Sequence, residues 1–214
     1  MDLAIVIDYI YGYLILHREF RVIIRKLFKF ENAHIVRGCS TQRCSQNIHG
    51  HSYTIEVLLE SNYLDNGQMV YDFGLMKLAI KELIDSFDHS ITLWSGDDKG
   101  YLDSMKNYSN RWIQLPVSPS AEQFSRVIYL IVERILELTV MQNNERNITL
   151  NSIIIHETQT GYAQGFKEDA HSLLMGKIEL DDIEFSSQVI SEWSDSDLWR
   201  KILQREALRN PFQV

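Results

Sequence analysis

The sequence VIIRKLFKFENAHIV at residues 22–36 carries the pattern that decides the fold class, and SYTIEVLL at residues 52–59 repeats it. Both segments are rich in β-branched and aromatic residues, and both alternate in part between apolar and polar positions. That alternation is typical of β-strands. The segment between them, residues 37–48, is polar and too long for a tight turn. The sequence therefore predicts two strands joined by a loop.

Two helices and a further strand follow along the chain. The first helix is capped by Asp72, and its apolar residues recur at helical spacing until it ends near Asp85. The second is capped by Ser118 or Ser120 and carries one apolar stripe. The segment ITLNSIIIHET at residues 148–158 predicts the further strand.

Residues 94–110 lie between the two helices and are polar and irregular, which favours a long loop and makes them a candidate lid. After them, RWIQLPV at residues 111–117 predicts a short strand. The order of elements favours an α+β domain, with two long helices on one face of an antiparallel sheet. We assign this domain to residues 22–175.

The domain is flanked by two extensions, residues 1–21 and residues 176–214. The first begins with an apolar run that Asp2 and Asp8 interrupt and that is shorter than the ~20 residues needed to span a bilayer. We therefore expect no export signal and no membrane binding, but either an added strand or an upstream extension of the true start. The second is acidic and partly helical, and its apolar side could dock on the domain or on another subunit.

The composition narrows the class of protein. The chain has 214 residues, 45% of them hydrophobic and 23% charged, as expected for a soluble domain with a proper core. Its formal net charge of −8 argues against a general nucleic-acid binder, since phosphate neutralisation needs a broad basic face. Two cysteines are too few for a disulfide framework. A reducing cytoplasm fits best.

The sharpest local feature is His49-Gly50-His51, because residues i and i+2 point to one face where the chain enters a strand. His34 lies near the end of the preceding strand, and an antiparallel hairpin would return it beside that pair. Three protein ligands with an open fourth position are typical of catalytic zinc. The sequence therefore predicts Zn²⁺ on His34, His49 and His51.

Two other interpretations of these residues stay open. An isolated pair of this kind more often consists of separate surface or core histidines, so the prediction depends on the context. Cys39 and Cys44 could instead complete a structural Cys/His zinc site, although their spacing is loose and the chain has no second such pair. In the preferred interpretation, one thiol is reactive and the other is a bystander.

Two further groups could act on a substrate. Asp88-His89 follows the first helix, and a histidine oriented by a carboxylate can shuttle protons at neutral pH. Alone, such a pair is usually a turn aspartate beside a surface histidine. Glu157 ends the last strand, either as an exposed carboxylate or as an acceptor for the guanidine-like edge of a heterocycle.

Taken in order, these motifs resemble the 6-pyruvoyltetrahydropterin synthase and 6-carboxytetrahydropterin synthase family. The resemblance rests on FENAH, a cysteine before HGHSY, YDF at 71–73, FDH at 87–89, PSAEQ at 119–123 and HET at 156–158. It covers roughly residues 22–170. It implies a T-fold, in which sheets and helices of several subunits assemble into a barrel, commonly a homo-hexamer with sites between subunits.

The resemblance also implies a role for each site residue. It places zinc on the three histidines, makes Cys44 the catalytic thiol and makes Asp88 and His89 the proton-transfer pair. Glu157 would anchor the pterin's 2-amino and ring N–H edge, with Glu122 near the site. Four residues separate Cys44 from His49, which falls between the spacings of bacterial queuosine-pathway members and animal-type synthases.

The expected activity is conversion of 7,8-dihydroneopterin triphosphate to 6-carboxy-5,6,7,8-tetrahydropterin, with release of acetaldehyde and triphosphate, in queuosine biosynthesis. Arg37, Arg43 or Lys29 would receive the triphosphate. One alternative is 6-pyruvoyltetrahydropterin synthase, which retains the side-chain carbons. Another is a non-catalytic ring, stabilised by zinc, that binds a pterin or a protein.

Overall fold

The computed structural model describes residues 21–214, so the expected N-terminal extension lies outside the described residues except for Arg21. The strands are β1 (Val22–His34), β2 (His49–Ser61), β3 (Ser90–Trp94), β4 (Trp112–Leu115), β5 (Thr139–Val140), β6 (Thr149–His156), β7 (Tyr162–Gly165), β8 (Glu184–Phe185) and β9 (Leu208–Arg209). The α-helices are α1 (Gln42–Gln46), α2 (Ala79–Asp85), α3 (Lys99–Tyr108), α4 (Ala121–Leu138), α5 (Lys167–Ala170), α6 (Ser187–Ser191) and α7 (Leu198–Leu203).

Seven strands form the main sheet in the order β7-β6-β2-β1-β3-β4-β8. The pairs β1–β2, β2–β6 and β6–β7 are antiparallel, as predicted. The pairs β1–β3 and β3–β4 are parallel, which the prediction of an antiparallel sheet did not include. Parallel neighbours need a long crossover between them, and α3 supplies it between β3 and β4. The predicted α+β class is confirmed.

The core lies between one face of the sheet and the helices. Alternate residues of β1 and β2 are buried, and Phe30 and Tyr53 pack with ring centroids 5.0 Å apart. Phe124 of α4 and Phe87 after α2 complete an aromatic cluster on this face. The same alternation continues along β1 to His34, which is fully buried. His34 therefore lies on the core face of the sheet, at the end of β1.

The first predicted helix is shorter than expected. The segment from Asp72 to Asp85 forms a 3-10 turn at Leu75–Lys77 and then α2, because Leu78 at φ −88° and ψ −127° interrupts the helical backbone. The second predicted helix is confirmed as α4, and Ser120 caps it by accepting a hydrogen bond from the N–H of Gln123.

The prediction of an irregular loop at residues 94–110 was wrong, because α3 occupies Lys99–Tyr108. Asp98 caps this helix by accepting a hydrogen bond from the N–H of Tyr101 at 3.0 Å. None of its residues is buried, and although Tyr101, Met105 and Tyr108 recur at helical spacing, they are few among polar neighbours.

The C-terminal segment, residues 176–214, packs against the preceding part of the same chain. Trp193, Leu198 and Ile202 are buried in the common core, and Trp199 packs against it from the side. β8 adds the segment to the sheet edge beside β4. Among residues 21–214, none of the helices combines the length and apolar character needed to cross a bilayer.

Replacing Ile202 with Ala tests this docking. Ile202 is fully buried, so the substitution should lower the free energy of unfolding by about 2–5 kcal/mol. Leu174→Ala is the matched control, since Leu174 is fully exposed and its loss should change the value by less than about 0.5 kcal/mol. Urea titration followed by tryptophan fluorescence measures both, and equal midpoints would show that the segment does not pack on the domain.

Candidate active site

Three imidazoles converge where β1 ends and β2 begins. The antiparallel register pairs His34 with His49, and His51 follows two residues later on the same face. The ring centroid of His34 lies 4.5 Å from that of His49 and 5.3 Å from that of His51. One ring nitrogen of each residue lies within 4.8 Å of the others. The predicted convergence is confirmed, and the cluster could hold a metal ion.

The surroundings of the rings keep nitrogen lone pairs available for a cation. Nδ1 of His34 lies 2.6 Å from the carbonyl oxygen of Pro119, to which it donates as the N–H tautomer, so Nε2 is left as the acceptor. Nδ1 of His49 lies 3.0 Å from the carbonyl oxygen of Asn47, in the same arrangement. Burial, aided by His49 and His51, lowers the pKa of His34 to about 4, so this ring is neutral at pH 7.

Glu157 lies beside this cluster, at the end of β6. Its Oε1 is 3.8 Å from Nε2 of both His34 and His51, and it accepts a hydrogen bond from the hydroxyl of Tyr53 at 3.2 Å. Burial, followed by the negative charge of Glu157, raises the pKa of Tyr53, so the phenol stays a donor. Tyr53 was not among the predicted site residues, although its place in HGHSY, two residues after His51, was the available signal.

An open cavity of ≈ 520 Å³ adjoins the cluster. Six residues named as candidates from the sequence line it: Cys39, Cys44, His49, His51, Glu122 and Glu157. Its lining combines nitrogen, sulfur and carboxylate groups with apolar side chains. A cavity of this size and composition suits a small polar heterocycle.

Both cysteines are free thiols on the wall of this cavity. Cys44 lies in the short helix α1, and Cys39 precedes that helix with its Sγ 3.3 Å from the carbonyl oxygen of Thr41. Because both residues line one cavity, the assignment of Cys44 as the reactive thiol stays a prediction.

Asp88 and His89 lie elsewhere, in the turn between α2 and β3. Nδ1 of His89 donates to Oδ2 of Asp88 at 2.9 Å, while Oδ1 accepts from the backbone N–H of Glu31 at 2.7 Å. Partial burial opposes ionisation of Asp88, but these two hydrogen bonds hold its pKa below the usual range. His89 lines a shallow hollow of ≈ 430 Å³ with Ser52 and His51, not the cavity that Cys44 lines.

Arg37, one of the three cations expected to receive triphosphate, already has anionic and carbonyl partners. Its Nε donates to both carboxylate oxygens of Asp97 at 3.0 and 3.1 Å, and Nη1 donates to the carbonyl of Ser45 at 3.2 Å. The guanidinium also lies 5.1 Å from the ring centroid of Tyr101 on α3. Arg37 therefore links the segment around Cys44, through the carbonyl of Ser45, to Asp97 just before α3.

The fold and the histidine site define this chain as an α+β protein with a candidate metal site formed by three histidines. The family model for 6-pyruvoyl tetrahydropterin synthase matches residues 23–168. A curated relative, 6-carboxy-5,6,7,8-tetrahydropterin synthase of Helicobacter pylori, is 37% identical over 86% of this chain and 93% of its own length. The chain belongs to the 6-pyruvoyl tetrahydropterin synthase family.

Solved structures show the same fold. A 6-pyruvoyl tetrahydropterin synthase of Plasmodium falciparum matches 69% of this chain and 98% of its own, with a TM-score of 0.52 and 18% identity. An uncharacterized protein of Wolinella succinogenes matches 70% of this chain and 99% of its own, with a TM-score of 0.54 and 19% identity. The predicted T-fold is therefore confirmed for the single chain.

The histidine cluster should bind one divalent ion per chain. Removal of one ligand, as in His49→Ala, should weaken binding by a factor of about 100 or more, since even the loss of a supporting contact costs ~10- to 100-fold. Isothermal titration with Zn²⁺ and the visible spectrum of the Co²⁺ form measure this. His171→Ala is the control, because His171 contacts Glu133 and lies outside the cluster; equal affinities for the two variants would contradict the assignment.

Proposed function

We propose that this chain is a zinc-dependent 6-carboxy-5,6,7,8-tetrahydropterin synthase that acts on 7,8-dihydroneopterin triphosphate in queuosine biosynthesis. The observation that carries the proposal is the cavity in which His49, His51, Cys44 and Glu157 meet. The name of the Helicobacter pylori relative, 6-carboxy-5,6,7,8-tetrahydropterin synthase, supports the carboxy product over the pyruvoyl product. The reaction would release acetaldehyde and triphosphate.

The donor set fits zinc. Three imidazoles, two of them held by the backbone carbonyls of Pro119 and Asn47, match the ligands of catalytic zinc sites, and the adjoining cavity would give a substrate access to a fourth position. Bound there, Zn²⁺ would act as a Lewis acid toward the hydroxyl oxygens of the substrate side chain.

The other side chains of the cavity would bind the pterin and move protons. The carboxylate of Glu157 can accept two N–H bonds from the 2-amino and ring N–H edge, a charge-assisted pairing that fixes the ring plane. Cys44 would take a proton from the side-chain carbon as the general base, and Glu122 would lie beside the bound ring. Lys29 and Arg43 remain candidates for the triphosphate.

The Asp88–His89 pair would reach a cavity through assembly. Within one chain, His89 lies on a different hollow from Cys44. A homo-hexamer with sites between subunits, as the family resemblance implies, would place the pair of one subunit at the cavity of another. We place this assembly in the reducing cytoplasm, where both cysteines stay free.

Incubation of the purified zinc protein with 7,8-dihydroneopterin triphosphate should yield 6-carboxytetrahydropterin and acetaldehyde, identified by mass spectrometry. Cys44→Ala should lower kcat by about 10²- to 10⁴-fold with zinc retained, because a positioned acid–base group contributes that much. Cys39→Ala is the matched control and should keep turnover. The opposite pattern would assign the reaction to Cys39 instead.

Two other results of this incubation would contradict the proposal and would each favour a different function. A 6-pyruvoyl product without acetaldehyde would make the chain a 6-pyruvoyltetrahydropterin synthase. Absence of any product, combined with unfolding of the assembly on zinc removal, would favour a non-catalytic ring, because structural zinc contributes directly to the free energy of folding.

Subunit complementation tests the proposed shared site. Cys44→Ala and His89→Asn should each be inactive alone. If unfolded together and refolded, they should regain about one quarter of wild-type turnover, since random assembly pairs an intact thiol with an intact histidine at that frequency. Separately refolded variants, mixed afterwards, are the control. Failure of the co-refolded sample to regain activity would place both residues in one subunit's site.

A further inference from the structure

Arg111 covers the carboxyl end of α2 and the turn that follows it. Its Nη2 donates to the carbonyls of Asp85 and Ser86 at 3.2 and 3.4 Å, and its Nε donates to the carbonyl of Asp88 at 2.9 Å. Carbonyls in the last turn of a helix lack partners within the helix and carry partial negative charge. One guanidinium therefore stabilises the helix end and the backbone of Asp88 together.

The turn itself needs support, because His89 has φ +51°, a conformation that costs free energy for any residue other than glycine. β1 holds the turn from one side. The N–H of His89 donates to the carbonyl of Glu31 at 2.7 Å, and the amide of Asn32 donates to the carbonyls of Phe87 and Ser90 at 2.9 and 3.0 Å. Arg111 holds it from the other side.

The C-terminal segment in turn holds Arg111. Nη1 of Arg111 forms an ion pair with the carboxylate of Glu192. The next two residues contact α2 and its C-cap: the N–H of Ser194 donates to Glu82 of the helix at 2.9 Å, and Nε1 of Trp193 donates to Oγ of the cap residue Ser86 at 2.9 Å. Residues 192–194 thus pack against the same helix end that Arg111 covers.

Within its own chain, packing does little to orient the imidazole of His89, whose side chain is 75% exposed. Its position depends on the backbone of the turn and on the hydrogen bond to Asp88. A displacement of about 1 Å in a reacting group can cost ~10²-fold in rate. The contacts that hold the backbone of this turn would therefore affect the rate of proton transfer by His89.

We propose that Arg111 is a positioning residue, which holds the Asp88–His89 pair in the orientation for proton transfer, and that residues 192–194 fix Arg111 in place. This inference rests on the proposed function, in which the pair transfers protons. It gives the C-terminal segment a role in turnover in addition to its contribution to the core.

Arg111→Met should lower kcat on the order of 10-fold, leave KM within about twofold and leave zinc content unchanged, because the pair moves while the cavity of Cys44 does not. Arg111→Lys should recover part of the lost kcat, since lysine keeps the positive charge but lacks the planar set of N–H donors of a guanidinium. Glu192→Gln should lower kcat by a smaller factor than Arg111→Met. The double variant Arg111→Met/Glu192→Gln should have the same kcat as Arg111→Met, because both changes break the same ion pair. Arg200→Met is the matched control, an exposed arginine paired with Asp197 and Glu206.

Wild-type kcat in Arg111→Met would overturn the inference. If that variant does not fold, wild-type kcat in both Arg111→Lys and Glu192→Gln would do the same. A rise in KM with constant kcat would assign Arg111 to substrate binding and would also overturn it.

A crystal structure of Arg111→Met separates this inference from the proposed function. Loss of the 2.9 Å contact between His89 and Asp88, or a φ of His89 outside the left-handed region, supports positioning even if no substrate is ever turned over. An unchanged turn overturns the inference. Normal turnover in His89→Asn would instead refute the proposed role of the pair.

Discussion

The antiparallel register of β1 and β2 is the constraint on which the site depends. Thirteen backbone pairs, from Val22 with Ser61 to His34 with His49, place one face of both strands in the core. A slip of one residue would turn His49 and His51 to the opposite face and leave His34 alone. The same slip would turn the buried side chains of Tyr53 and Ile55 out of the core, so the free energy of core burial also sets the geometry of the histidines.

The site lies where this apolar face reaches the edge of the core, and that position explains the chemistry of its groups. His34 is fully buried, which keeps its ring neutral, whereas Glu157 is partly exposed and can meet a ligand from solvent. The carbonyl of Pro119, directly before α4, orients the buried ring. α4 therefore covers the core, and the residue before its N-cap orients the buried ring.

Much of this arrangement could be predicted from the sequence, because the signals are local. The i, i+2 histidines at a strand start and the alternation of β1 required no knowledge of distant contacts. The rest depended on pairs far apart in the chain: Arg111 contacts Glu192, and Arg37 contacts Asp97. α3 was missed for a different reason: its apolar residues Tyr101, Met105 and Tyr108 recur at helical spacing, but they are few among polar neighbours and none of them is buried.

The location of the Asp88–His89 pair follows from the chain's topology. β3 joins the sheet parallel to β1, through Asn32 and Ser90, so the turn that precedes β3 must lie beside Glu31. Successive residues of a strand point to opposite faces of the sheet. Because Glu31 and His34 are three positions apart on β1, their side chains point to opposite faces. The turn is thus next to the backbone of the histidine strand while its imidazole lines a different hollow from the metal cavity. Within one chain, the contacts that hold this turn therefore come from the backbone of β1 and from the guanidinium of Arg111.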